Sequence, residues 1–160
     1  MEQQQWQRFG GTFLHGPVAE EVNKALVAEQ EAGNTIQVCL GTDSQVKGAV
    51  IEFATVIVFV RKGKGAFLFL QKELLRRKMS IRERMLMEVD KTVQLTLQLN
   101  TVFEQHGIAP ELHVDINTSA AYKSNAALSE AMGYVSGMGW TCKAKPFAFA
   151  SSSCANKVVQ

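Results

Sequence analysis

Apolar positions along the chain switch between a helical period and a strand-like one, and the switches outline the fold. After Pro17, Val18, Val22, Ala25, Leu26 and Ala28 recur at helical spacing until Gly33-Asn34 stops the run. Three strand-like runs follow, over residues 35–43, 49–60 and 66–71, with Gly48 and Lys62-Gly63-Lys64-Gly65 marking the turns. The second is apolar at both parities except for Glu52 and Thr55, as expected of a central strand covered on both faces. The short connections predict an antiparallel meander.

The helical period then returns for a long stretch. Ser80-Ile81-Arg82-Glu83 reads as a capping box, with Ser80 as N-cap and Glu83 reaching back. The buried stripe runs through Ile81, Met85, Glu88, Leu95, Leu99 and Val102, widened by Leu86, Val89, Val93 and Phe103. Gly107 ends this helix and Pro110 prevents its restart. A fourth strand spans 111–116; because it follows a helix, it can lie parallel to the first strand through a crossover. Thr118 or Ser119 caps a helix to about Met132 with Gly133 past its end, residues 140–145 form a fifth strand broken by Pro146, and Ser151-Ser152-Ser153 opens a last short helix. The first 16 residues hold Trp6, Phe9, Phe13 and Leu14 without a clear period, and are expected to form an arm packed on the domain. The whole is an α/β fold with a mixed five-stranded sheet flanked by helices. A single domain over 1–160 is expected, with 1–34 as arm plus helix.

Composition narrows the classes. At 46% hydrophobic and 20% charged the chain is globular rather than disordered. No apolar run approaches the ~20 residues needed to span a bilayer, so no membrane partner is expected. Met1-Glu2-Gln3-Gln4-Gln5 lacks the pattern of a signal peptide, and Cys39, Cys142 and Cys154 form no CxxC; reduced thiols and a cytoplasmic location are expected, without structural zinc. The net charge of +2 hides an uneven distribution. Residues 61–84 hold Arg61, Lys62, Lys64, Lys72, Arg76, Arg77, Lys78, Arg82 and Arg84, opposed only by Glu73 and Glu83. A charge run alone is usually a solvated face; beside an active site it becomes a polyanion-binding edge.

Three acids stand out. Asp43, in Gly41-Thr42-Asp43-Ser44, is placed where the first strand becomes a loop, although Asp-Ser turns are commonly structural. Glu88 lies about two turns into the long helix on an otherwise apolar stripe, where a carboxylate either has a partner or snorkels to water. Asp115 closes the fourth strand. If strands one and four are parallel neighbours, Asp43 and Asp115 emerge at one sheet edge and Glu88 reaches the same point. Three converging carboxylates raise one another's pKa unless a hard divalent cation such as Mg²⁺ or Mn²⁺ relieves the repulsion. His15, His106 and His113 show no metal-ligand spacing, though His113 shares strand parity with Asp115 as Cys39 does with Asp43. Lys145, before Pro146, either contacts a phosphate near the site or solvates a strand end. The glycines of 133–139 follow neither a P-loop nor a dinucleotide fingerprint and read as helix stop plus turn.

This order of elements, with acids on the first strand, the long helix and the fourth strand, resembles the ribonuclease H fold. Gly41-Thr42-Asp43-Ser44-Gln45, the strand end at Asp115, the stretch 133–139 and Lys145-Pro146 followed by Ala150-Ser151-Ser152 are similar to the YkuK-type ribonuclease H-like family over roughly residues 9–160. The resemblance implies a metal-dependent nuclease site with Asp43, Glu88 and Asp115 as catalytic metal ligands for Mg²⁺ or Mn²⁺. The family pattern ends in Ala-Asp; this chain has Ala155-Asn156, and Asn156 would serve as a neutral auxiliary ligand, weakening a second metal. Arg76, Arg77, Lys78, Arg82, Arg84 and Lys145 would then bind the phosphates of RNA, DNA or a hybrid. Two other readings remain open: a catalytically silent nucleic-acid-binding module, and an interaction protein whose arm and apolar faces build a homo-oligomer.

Overall fold

The computed structural model describes residues 2–3, 5–114, 126–143 and 150. Its centre is the antiparallel meander of β3 (Ile36–Lys47), β4 (Val50–Arg61) and β5 (Ala66–Leu75). β3 and β4 pair without interruption from Ile36↔Arg61 to Lys47↔Val50, so alternation is unbroken along both strands. β5 also pairs with β1 (Glu2–Gln3) and β2 (Gln7–Arg8), both antiparallel. On the other side of β3 come β6 (Glu111–His113) and then β7 (Thr141–Lys143), both parallel, giving a seven-stranded sheet with the path β1-β5-β4-β3-β6-β7.

The mixed α/β architecture is the one expected, with corrections at its margins. The aperiodic arm supplies two extra strands, each of only two residues, too short to leave a periodic trace. β3 does not end at Asp43: it runs on to Lys47, because the polar residues Ser44–Lys47 find ladder partners in Phe53–Val50. β5 likewise extends past Gln71 to Leu75, opposite Ile51.

α1 (Val18–Glu31) and α2 (Ile81–Gln105) cover one face of the sheet. Ser80 caps α2 as its side chain promised, its Oγ accepting from the Glu83 N–H at 3.1 Å. The Glu83 carboxylate, expected to complete a capping box, lies 3.8 Å from Arg77. The core beneath the helices joins Val22 and Leu26 of α1, Leu95, Leu99 and Phe103 of α2, and Val38, Leu40, Ile57, Phe59 and Phe69 of the sheet. Phe59 stacks on Phe67 at 4.6 Å between ring centroids.

A second apolar cluster unites Val89 and Val93 of α2 with Leu112, Val114, Trp140 and Val135 of α3 (Ala126–Gly137). α3 runs through Gly133, where an end was expected, because burying Val135 draws one more turn into helix. Its expected start at Thr118 or Ser119 lies outside the described residues, as do Asp115, Lys145, Asn156 and the last short helix. The opposite face of the sheet carries Cys39, Val56, Val58 and Leu70 packed with Ala150. Among the described residues no helix is long and apolar enough to cross a membrane.

Candidate metal site and the strand-helix seam

The site grows from residues 40–45 of β3. Leu40 is buried in the core under α2, so alternation directs Thr42 and Ser44 to the same side. Both meet α2. The Thr42 hydroxyl lies 2.8 Å from that of Thr92 and 3.1 Å from that of Thr55, and all three residues are buried. Thr92 in turn donates to the Glu88 carbonyl at 3.2 Å, so it must accept from Thr42, and Thr42 from Thr55. A directed chain of hydroxyls thus stitches β4, β3 and α2 together directly below Glu88.

One step along the strand, the Ser44 hydroxyl donates to Glu88 Oε2 at 3.0 Å and accepts from Arg84 Nη1 at 3.3 Å. The Ser44 N–H donates to Asp43 Oδ1 at 2.9 Å. By alternation Asp43 belongs to the opposite face of the sheet, with Cys39, and is 9% exposed; Glu88, on α2, is half-buried. Ser44 is bonded to both acids, to its neighbour Asp43 through its backbone N–H and to Glu88 through its hydroxyl. It offers a neutral donor to each carboxylate. Such hard oxygen ligands suit a hard divalent cation. Thr42, Met85, Glu88, Val89, Thr92, His113 and Val114 line a gap at the seam too tight to admit a water molecule.

Asp115 and Asn156 lie outside the described residues. The ladder leading to Asp115 is described: β6 pairs parallel to β3 with Gly41 opposite His113. In sequence Asp115 follows His113 by the same step that separates Asp43 from Gly41.

Of the basic residues expected to hold phosphates, Arg76, Arg77, Lys78 and Arg82 are exposed in the 76–80 connector and the first turn of α2. Arg77 and Lys78 line a groove with Val46, Ile51 and Met79, beside the β3–β4 turn. Arg84 departs from this pattern: it is half-buried and reaches inward to Ser44. Lys145 lies outside the described residues.

On the opposite face Cys39, Glu111 and His113 bring a thiol, a carboxylate and an imidazole within 4.8 Å of one another, a spacing that could hold an ion. The hydrogen bonds give the group another occupation. His113 Nδ1 accepts the Ala150 N–H at 3.1 Å, so the neutral ring carries its proton on Nε2 and donates it to Glu111 Oε1 at 3.3 Å. The same oxygen takes Lys143 Nζ at 3.0 Å, while Glu111 Oε2 takes the Gln37 amide. Metal ligation through Nε2 would set an Nδ1 proton against the Ala150 N–H. Burial pushes the His113 imidazole below its ordinary value, with Glu111 opposing. Burial alone would raise the Glu111 carboxyl, but its bonds to Lys143 and His113 outweigh that and hold it below the usual range.

A family model described as Ribonuclease H-like matches residues 18–160. The chain belongs to the ribonuclease H-like family. None of the curated proteins and none of the solved structures compared with it matches. In this ribonuclease H-like chain the match takes in the sheet, α2 and the acids together, leaving out only the arm with its β1 and β2. Ser44, Thr42 and Thr92 were not legible as site residues. The signal was present in the alternation Leu40, Thr42, Ser44, which puts two polar side chains on the face that the apolar stripe of α2 must cover.

Proposed function

We propose that the chain is a divalent-metal-dependent nuclease that hydrolyses phosphodiester bonds of RNA, DNA or their hybrid. The observation that carries this reading is the bonding of Ser44 to both Asp43, through its N–H, and Glu88, through its hydroxyl, in a chain of the ribonuclease H-like family. Asp43, Glu88 and Asp115 are its metal ligands for Mg²⁺ or Mn²⁺, with Asn156 as a neutral auxiliary. A bound divalent ion would supply Lewis-acid activation of water and charge stabilisation at the leaving oxygen. The chain's own residues do the rest. Asp43 and Glu88 present fixed oxygens, and the exposed Arg76, Arg77, Lys78 and Arg82, with Lys145, hold substrate phosphates and set their register.

The test is cleavage of labelled RNA, DNA and hybrid duplex with Mg²⁺, Mn²⁺ or EDTA, beside Asp43→Asn. Metal-dependent cleavage abolished by the substitution is the expected result. Equal cleavage by the variant would remove Asp43 from the site. Asn156, in the position of a family acid, favours a second reading: a silent module that binds nucleic acid through the same basic edge. Salt-sensitive binding without cleavage, and cleavage gained in Asn156→Asp, would select it.

A further inference from the structure

Ser44 is a small strand residue with three polar partners on three different side chains or backbone positions. Its N–H goes to Asp43 Oδ1 at 2.9 Å, and its Oγ lies 3.0 Å from Glu88 Oε2 and 3.3 Å from Arg84 Nη1. A hydroxyl has one proton to give and lone pairs to receive with, whereas a guanidinium only donates. Arg84 therefore occupies a lone pair of Oγ, and the single Ser44 proton is committed to Glu88. Arg84 and Glu88 stand one helical turn apart on α2 and reach the same oxygen, so the hydroxyl is clamped from two points of one rigid element.

We infer that Ser44 is a positioning residue of the candidate metal site, orienting Glu88 through a hydroxyl that Arg84 aims while its backbone N–H bonds Asp43. The inference deepens the nuclease reading and rests on it for the reason the two carboxylates must be held. It also gives Arg84 an inward task that its exposed neighbours lack: it acts through Ser44 on Glu88. Groups that orient metal ligands in this way typically change metal affinity about 10–100-fold when removed. Ser44 itself touches neither metal nor substrate in this assignment.

The experiment is Mn²⁺ binding without nucleic acid, read from the electron paramagnetic resonance signal of the free ion, on the parent chain, Ser44→Ala, Ser44→Thr and Asp43→Asn. Circular dichroism melts show which variants fold. Ser44→Ala should bind Mn²⁺ at least about tenfold more weakly, and Ser44→Thr, which keeps the hydroxyl, should restore the parent affinity. Parent-like affinity in Ser44→Ala overturns the inference, and so does equal weakening in Ser44→Ala and Ser44→Thr, because the effect would then belong to side-chain volume. Should Ser44→Ala not fold, Ser44→Cys takes its place, keeping the side chain's shape at slightly larger size with a much weaker donor and the same expected loss. No Mn²⁺ binding by the parent, or parent-like binding by Asp43→Asn, overturns the metal reading itself and the inference with it. That result is distinct from a failure confined to Ser44.

Discussion

Thr42 on β3 and Thr92 on α2 face each other hydroxyl to hydroxyl at 2.8 Å, with Thr55 completing the buried row from β4. Because Thr92 gives its proton to the Glu88 carbonyl, each hydroxyl in the row has one direction available. Thr42→Val removes the middle member, leaving a buried donor on Thr55 without its acceptor and Thr92 without its donor. The expected cost is about 1–3 kcal/mol of unfolding free energy, measured by urea denaturation at neutral pH. A change below a few tenths of a kcal/mol would mean that the row is dispensable.

The core beneath α1 and α2 sets the position of that seam. Leu99 is fully buried between the helices and β3. Leu99→Ala should cost about 2–5 kcal/mol, from lost burial plus the cavity left behind. The same denaturation curves test it.

Acid should lower the protein's stability in two steps. The His113 imidazole is depressed in the folded chain, so below its ordinary 6.5 the unfolded chain takes up the proton first and stability falls. The Glu111 carboxyl is depressed as well, so its contribution is present above its ordinary 4.5 and is lost as the pH falls through that value and below. Melting temperature against pH should therefore be level above neutrality and then descend twice. Lys143→Met removes a donor from Glu111 and should flatten the lower step. An unchanged lower step would show that Lys143 does not hold this carboxylate.

Nucleic-acid binding, on the nuclease reading, depends on the exposed connector. Arg77→Ala with Lys78→Ala should weaken binding to all sequences alike and reduce the slope of log affinity against log salt by up to about two. Measurement on a single-stranded oligonucleotide between low and moderate salt decides it. An unaltered slope would move the contact elsewhere.

Much of the architecture was legible because burial writes itself into periodicity. The two-sided apolar run of β4 announced a covered central strand, and Ser80 announced the start of α2. What escaped were features whose cause lies across the chain. Ser44–Lys47 look like a loop, yet they are strand, because Val50–Phe53 come back to pair with them. Gly133 reads as a helix stop, yet the buried Val135 beyond it carries α3 onward. Asp43 and Glu88 could be singled out as acids in apolar settings. The serine bonded to Glu88 could not, since a serine after an aspartate looks like turn chemistry until α2 is seen to pass above it.

The path of the sheet has a consequence for synthesis. β3 acquires β4, and β4 acquires β5, within the next few dozen residues, so the antiparallel half can form while the chain is still being made. Its other flank, around Cys39–Gly41, receives β6 only after all 25 residues of α2 have followed. During that interval the nascent chain presents an unpaired strand with a buried-type sequence, a template for joining another chain. Translation that stalls within α2 would thus hold the molecule in its most association-prone form, and speed through that helix limits how long this flank stands open.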